Sequence, residues 1–207
     1  VFSSVFGHES EEKQAKLKSK AASLNTFLMA KRRVEEIAKH IIKHFQEKIY
    51  PNNYKAMLVC HNRYQAIAYQ KAFLKLKEQG LNSFESKVIM SFDNKKDPIE
   101  FRELAVEEDK IKKAIEEFKL PFGNENEKSL SVSDMLLTGY DAPIVQCMYI
   151  DKLLKEHTLL QAIARVNRTK SGKEYGLVVD YAGITNYLTE ALKIFSGDLE
   201  AQDVMTD

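Results

Sequence analysis

Cysteines, long apolar runs and net charge are all scarce in this sequence, and each shortage excludes a class of protein. The two cysteines, Cys60 and Cys147, lie in apolar, strand-like runs, which favours reduced core thiols of a cytoplasmic protein over a secreted, disulfide-bonded one. No run approaches the ~18 apolar residues of a membrane helix, so we expect no membrane partner. The net charge of +1 excludes a basic surface over the whole chain, although a few Lys or Arg side chains suffice to contact phosphates.

Two nucleotide-binding motifs are also missing. The sequence has no Gly-x-x-x-x-Gly-Lys-Ser/Thr loop that would cradle phosphates and no Asp-Glu-x-His motif that would hold a metal ion. The chain starts at Val1 rather than at Met, and its first residues lack the basic region and apolar run of a signal peptide. We therefore expect a fragment of a longer protein.

The remaining sequence alternates between short apolar runs and helical patterns. Strands that are apolar on both faces and alternate with helices predict an α/β fold, in which a mostly parallel central sheet is flanked by helices in three layers. The chain is expected to divide into an irregular arm (1–30), one domain (31–197) and an acidic exit segment (198–207).

The predicted elements follow from apolar spacing and from Gly and Pro breaks. The strands are Ala56–Cys60, Lys87–Ser91, Leu130–Ser133, Val145–Asp151 and Gly176–Tyr181. The helices are Arg32–Ile49, Tyr64–Lys77, Thr158–Asn167, Ile184–Phe195 and a long one that Asp97 would cap and that would run to about Leu120.

A polar turn after the third predicted strand carries chemistry that suits a nucleotide. Gly139 allows a close backbone approach to a ligand, Asp141 can accept hydrogen bonds from ribose hydroxyls, and Thr138 offers a hydroxyl to a phosphate. An ordinary Asp-bearing turn ended by Pro143 is the alternative.

The helix near Thr158–Asn167 strengthens the nucleotide hypothesis. Arg165 and Arg168 are three residues apart and Gln161 precedes Arg165 by four, so the spacing predicts one polar side opposite Leu159, Ile163 and Val166. Two guanidinium groups aimed in one direction favour phosphate, although a pair of surface arginines is the alternative.

These motifs resemble those of a known superfamily. Thr-Gly-Tyr-Asp-Ala-Pro (138–143) resembles motif V of superfamily-two helicases and translocases, and Gln-Ala-Ile-Ala-Arg-Val-Asn-Arg (161–168) resembles motif VI. The sequence of residues 134–168 as a whole is similar to the motor subunit of type I restriction enzymes. Two further segments share this similarity: Lys-Ala-Met-Leu-Val-Cys-His-Asn-Arg (55–63) and Tyr-Gly-Leu-Val-Val-Asp-Tyr-Ala-Gly (175–183). The resemblance covers about residues 33–195 and implies the second RecA-like domain of a DNA translocase.

The resemblance also implies roles and partners. Arg168 would be the arginine finger and Arg165 a γ-phosphate contact, while Gly139, Asp141 and Gln161 would face the nucleotide. Arg63 and Thr138 would lie toward the DNA backbone. ATP and Mg²⁺ would be the cofactors, the metal held mainly by a first RecA-like domain of the same polypeptide. The expected partners are double-stranded DNA and the methyltransferase and specificity subunits, and this chain alone would not hydrolyse ATP.

Two alternatives remain from the sequence alone: another superfamily-two DNA or RNA helicase, and a non-catalytic RecA-like binding module. Other candidates for a site are weaker. His40 and His44 have the spacing of a two-histidine metal site but no accompanying Glu or Cys, so no metal site is predicted. His61 is interpreted as a loop residue rather than a DNA contact, and Asp134 and Asp180 as structural hydrogen-bonding residues.

Overall fold

A computed structural model describes residue 22 and residues 24–93, 95–121, 129–133, 142–154, 156–168 and 172–183. Ten helices and strands carry the description of the fold within these ranges. They are α1 (Lys31–His44), β1 (Lys55–Cys60), α2 (Arg63–Glu78), β2 (Glu85–Ile89), α3 (Ile99–Leu104), α4 (Ile111–Lys119), β3 (Ser129–Ser133), β4 (Val145–Asp151), α5 (Glu156–Val166) and β5 (Leu177–Asp180).

The five strands form one sheet in the order β2-β3-β1-β4-β5, and every neighbouring pair is parallel. β1 and β4 lie at the centre, and all their residues are buried, as their mainly apolar sequences predict for strands covered on both faces. Each parallel pair needs a crossover connection rather than a tight turn, and a helix provides it between β4 and β5. The predicted α/β fold with a mostly parallel sheet is confirmed.

Helices cover both faces of the sheet. Alternate residues of β1 point to opposite faces, so Leu58 belongs to the same apolar cluster as Phe45 and Phe73 from the side of α1 and α2. Val59 belongs to a second cluster, which contains Phe118 of α4 and Leu159 of α5. The molecule therefore has the three layers that the sequence predicts.

The prediction of one long helix from Asp97 to about Leu120 is wrong. Pro98 is the residue before α3, and the helical path stops at Leu104, where Ala105 becomes extended and bridges Val88 in β2. The backbone N–H of Val106 donates to the carbonyl of Val88 at 2.9 Å. Pairing with the outer edge of β2 satisfies backbone groups that a continuous helix would have left exposed on that edge.

The other predicted elements that fall within the described ranges are present, β4 with the predicted ends and the rest with shifted ends. β2 lies two residues earlier than predicted, and the helix predicted to reach Ile49 passes from α1 into a π-helical turn at Phe45–Ile49. Gly80, with φ of +71°, follows the end of α2. The helix predicted at Ile184–Phe195 and the exit segment lie outside the described residues, as does nearly all of the arm. Within the described ranges, no helix has the length and apolar character needed to cross a membrane.

Candidate functional site at the two edges of the sheet

Because all strands are parallel, they all begin at one side of the sheet and all end at the opposite side. We call the edge where the strands end the carboxyl edge and the edge where they begin the amino edge. Arg63 lies at the carboxyl edge, at the first position of α2 and three residues beyond β1. α5 starts after the carboxyl end of β4 and must run back across the sheet, because β5 is parallel to β4. Its last turn, which contains Arg165, therefore lies toward the amino edge.

α5 buries one side and exposes the polar residues that the sequence singles out. Leu159, Ala162 and Val166 are buried against the sheet. Gln161 is exposed and Arg165 is half-buried. The helix ends at Val166, so Arg168 is an exposed residue two positions beyond it. The expectation that Arg165 and Arg168 share one helical face through their spacing is therefore wrong, because Arg168 is not helical.

The last turn of α5 can offer a phosphate its side chains but not its backbone. The carboxyl end of a helix carries a partial negative charge, which stabilises nearby Arg residues but repels an anion. A phosphate at this end of α5 would thus depend on the guanidinium groups of Arg165 and Arg168, in contrast to sites at helix amino ends that use backbone N–H groups.

The turn that holds Thr138, Gly139 and Asp141 lies outside the described residues. The residues that follow it are anchored at the amino edge, where the N–H of Val145 donates to the carbonyl of Ala142 at 3.0 Å. The buried Nζ of Lys173 donates to the carbonyls of Pro143, at 3.2 Å, and Val145, at 2.7 Å. Lys173 thus fixes the path into β4 from the segment that connects α5 to β5.

Arg63 is engaged within the domain. Its guanidinium donates to the carboxylate of Asp97 at 2.6 Å and to the carbonyl of Ser91 at 3.2 Å, and it lies 5.4 Å from the ring centre of Phe101. The backbone N–H of Asp93 and then Arg63 lower the pKa of Asp97, which keeps that carboxylate charged. About a third of the Arg63 side chain remains exposed, so a phosphate contact would have to share it with Asp97.

A buried cluster at the carboxyl edge was not found by reading the sequence. Asp151, the last residue of β4, is fully buried and accepts two hydrogen bonds from Arg33, at 2.6 and 2.8 Å. It also accepts from Gln65 at 2.8 Å and from the hydroxyl of Tyr69 at 2.6 Å. We call these four residues the Asp151 cluster. Burial is the main reason that the pKa of Tyr69 is raised, so its hydroxyl remains a donor.

The Asp151 cluster joins four parts of the domain. Arg33 donates to the carbonyl of Tyr181, which follows β5, at 2.8 Å. Gln65 donates to the carbonyl of Leu28, before α1, at 3.0 Å. The only sequence signal is an acidic residue at the end of an otherwise apolar strand. Its partner Arg33 is 118 positions away, and no local pattern connects the two.

Three histidines, His40, His44 and His61, are held by hydrogen bonds or burial. Burial first, and then the positive charge of Lys152, lower the pKa of His61, so this ring is neutral near pH 7 and adds no charge for DNA. His40 and His44 contact the hydroxyls of Tyr181 and Tyr149 at 2.5 and 2.8 Å. Among the residues that the structure describes, no three His, Cys, Asp or Glu side chains form a metal-binding group.

Asp180, the last residue of β5, accepts hydrogen bonds in the turn that follows the strand. Asp180 was expected to be a structural residue, and its carboxylate accepts from the N–H groups of Ala182, at 2.8 Å, and Gly183, at 3.1 Å. This turn confirms the interpretation for Asp180. Asp134 is outside the described ranges.

Comparisons with solved structures identify the class of fold. A fragment of a putative HsdR subunit of a type I restriction enzyme from Vibrio vulnificus YJ016 superposes with a TM-score of 0.58 at 18% identity, over 78% of this chain and 30% of that one. The C-terminal domain of the DEAD-box protein Dbp5 gives 0.51 at 15% identity, over 80% of each chain. The fold is therefore that of a RecA-like helicase domain.

Sequence comparisons narrow the class to one family. A profile for type I restriction enzyme subunit R domain 3 matches residues 124–183. A putative type I restriction enzyme MjaVIIP endonuclease subunit from Methanocaldococcus jannaschii is 38% identical over 183 residues, which are 83% of this chain and 17% of the relative. The HindI endonuclease subunit from Haemophilus influenzae is 32% identical over 176 residues, which are 82% of this chain and 16% of that protein. The chain belongs to the family of type I restriction enzyme R subunits and spans about a sixth of the length of these relatives.

Proposed function

We propose that this chain is the second motor domain of an ATP-dependent DNA translocase in a type I restriction-modification enzyme of the cytoplasm. The observation that carries the proposal is the placement of Arg165 and Arg168 at the end of α5, toward the amino edge, while Arg63 lies at the carboxyl edge. A motor domain needs separate surfaces for nucleotide and DNA, because each must be gained and released in turn.

The proposed chemistry is charge stabilisation by residues of this chain. Arg168 acts as the arginine finger and Arg165 contacts the γ-phosphate, with Gln161, Gly139 and Asp141 beside the nucleotide. Residues outside this chain would hold Mg²⁺, which would neutralise charge on the phosphates. The buried carboxylate of Asp151 is not a candidate ligand, since it pairs with Arg33. Since the chain lacks a phosphate-cradling loop, we infer that it does not hydrolyse ATP alone.

The remaining parts of the proposal concern partners. Closure of this domain against a first RecA-like domain of the same polypeptide would bring the two arginines to the triphosphate, and loss of those contacts after hydrolysis would allow the domains to separate. Arg63 and Thr138 would contact the backbone of double-stranded DNA. Methyltransferase and specificity subunits would select the site, as a role in restriction requires.

The test is an Arg168→Ala variant of the full-length protein. An arginine finger is worth about 10³ to 10⁵ in rate, so DNA-stimulated ATP hydrolysis and translocation should fall by that range while DNA binding persists. Arg168→Lys should restore little, because an ammonium group lacks the planar fork of donors. Near-normal hydrolysis by Arg168→Ala would remove the finger assignment.

Lys43→Ala provides a control for the loss of a positive charge. Lys43 is exposed on α1, and this helix runs from the carboxyl edge, where Arg33 binds Asp151, toward the start of β1. We expect unchanged hydrolysis in this variant. An equal loss in Lys43→Ala and Arg168→Ala would show that general surface charge, rather than the end of α5, supports the activity.

A further inference from the structure

The carboxyl end of α5 is in unusually close contact with the residue that precedes β5. A Cβ atom built on Gly176 would lie well within 3.0 Å of the backbone carbonyl of Val166 and 2.8 Å from Oδ1 of Asn167. Real Cβ atoms essentially never come this close to such atoms, so only glycine fits. The close neighbour is backbone, which cannot rotate away as a long side chain could.

A hydrogen bond joins the same two segments. The backbone N–H of Gly176 donates to Oδ1 of Asn167 at 3.1 Å, and the N–H of Asn167 continues the helical pattern by donating to the carbonyl of Ile163 at 3.0 Å. Asn167 therefore ends the helix and attaches it to the start of β5. Val166, between Arg165 and Asn167, is buried and holds the same turn against the sheet.

We propose that Gly176 and Asn167 are positioning residues that set where Arg165 and Arg168 lie relative to the triphosphate. We call this pair the Gly176–Asn167 contact. Asn167 is the direct neighbour of Arg168, so a displacement of Asn167 moves the backbone that carries the arginine. The inference rests on the proposed function, because it assigns to the contact the placement of the proposed arginine finger.

The expected size of the effect follows from the overlap. A methyl group at Gly176 must push the end of α5 away by something on the order of 1 Å, and a misplacement of that size can cost about 10²-fold in rate. Substrate binding through the rest of the cleft depends less on this distance. The structure therefore assigns to Gly176→Ala a large fall in kcat with a smaller change in the KM for ATP.

The experiment compares variants of the full-length protein in DNA-stimulated ATP hydrolysis. Gly176→Ala should lower kcat by about 10²-fold. Gly80→Ala is the matched control, because Gly80 has a positive φ of +71° and open space around a built Cβ. That variant strains the backbone and lowers the melting temperature, yet it should keep kcat within about twofold of the unaltered protein because α5 is untouched.

A double variant separates this inference from the proposed function. If the contact acts through Arg168, Gly176→Ala should lower kcat no further once Arg168→Ala is present. A kcat within about threefold of the unaltered protein in Gly176→Ala, with Arg168→Ala inactive, would overturn the positioning role and leave the finger assignment intact. Normal hydrolysis in Arg168→Ala would instead overturn the proposed function.

Asn167→Ala keeps the inference testable if Gly176→Ala does not fold. This variant removes the acceptor of the Gly176 N–H without adding any overlap. We expect a smaller fall in kcat than in Gly176→Ala, because the end of α5 loses one attachment but is not pushed away by an overlapping atom. An unchanged kcat in Asn167→Ala would contradict the positioning role.

Discussion

Removal of the carboxylate of Asp151 should be among the most destabilising single changes in this domain. The side chain of Arg33 is only 13% exposed, and Asp151→Ala removes its counter-ion. The change also removes the acceptor of the Tyr69 hydroxyl and one of the two acceptors of the Gln65 amide, which keeps the carbonyl of Leu28. Breaking a buried ion pair by removing one partner costs about 3–5 kcal/mol. For a domain of this size, that loss lowers the melting temperature by roughly 6–20 °C.

The assay is urea denaturation followed by circular dichroism, with Glu100→Ala as the matched control. Glu100 pairs with Lys71 at 2.7 Å, nearly the distance of the Arg33–Asp151 pair, but about half of each side chain is exposed. Solvent-exposed pairs contribute about 0.2–1 kcal/mol, so the control should lose at most that amount. The comparison therefore isolates burial from distance.

A double variant tests whether the unpaired buried charge of Arg33 causes the loss of stability in Asp151→Ala. Replacing both residues, as in Arg33→Met with Asp151→Leu, removes the buried charges together and should recover much of the lost free energy of unfolding. The reasoning is refuted if Asp151→Ala loses less than about 1 kcal/mol, the range of an exposed pair. It is also refuted if the double variant is as unstable as the sum of the single ones.

Two further predictions concern protons and DNA. Burial lowers the pKa of His44, with His40 and Lys48 adding to the shift, so the unfolded chain takes up a proton more readily; stability is full above the unfolded pKa near 6.5 and falls as the pH drops below it. His44→Gln should weaken this loss between pH 7 and 5 in urea denaturation, and an unchanged slope would contradict it. In the full-length protein, Arg63→Ala should weaken DNA binding and reduce the salt slope by about one, whereas Asp97→Ala, which releases Arg63, should not weaken it. Equal losses in both variants would show that Arg63 supports the loop rather than contacting DNA.

The sequence predicts the sheet well because burial on both faces leaves a strong local pattern. The limits predicted for the β4 strand, Val145–Asp151, agree with the structure because every residue of this strand is buried. The helix predicted at Asp97–Leu120 failed for a non-local reason, since the outer edge of β2 attracts Ala105 and Val106 out of the helical path. Local helix propensity cannot report an unsatisfied strand edge elsewhere in the chain.

In the candidate site, too, local burial could be predicted from the sequence and contacts between distant residues could not. The buried side of α5 could be predicted from the spacing of Leu159 and Val166, and its end was predicted to within one residue. The contact between Asn167 and Gly176 could not be predicted, because only the fold brings these two residues together. The roles of Thr138, Gly139 and Asp141 remain predictions. The Asp151 cluster was missed because its hydrogen bonds join residues from four separate segments of the chain. No local sequence pattern links these segments.

The bidentate ion pair between Arg33 and Asp151 also has a mechanical consequence. A pulling force that reaches the beginning of α1 acts on two parallel N–H···O bonds, which must rupture together rather than one after the other. The load then passes directly to the ends of β4 and β5, the two neighbouring strands that α5 connects. The sheet and its arginine-bearing helix are therefore expected to respond to tension on the preceding chain as a stiff unit.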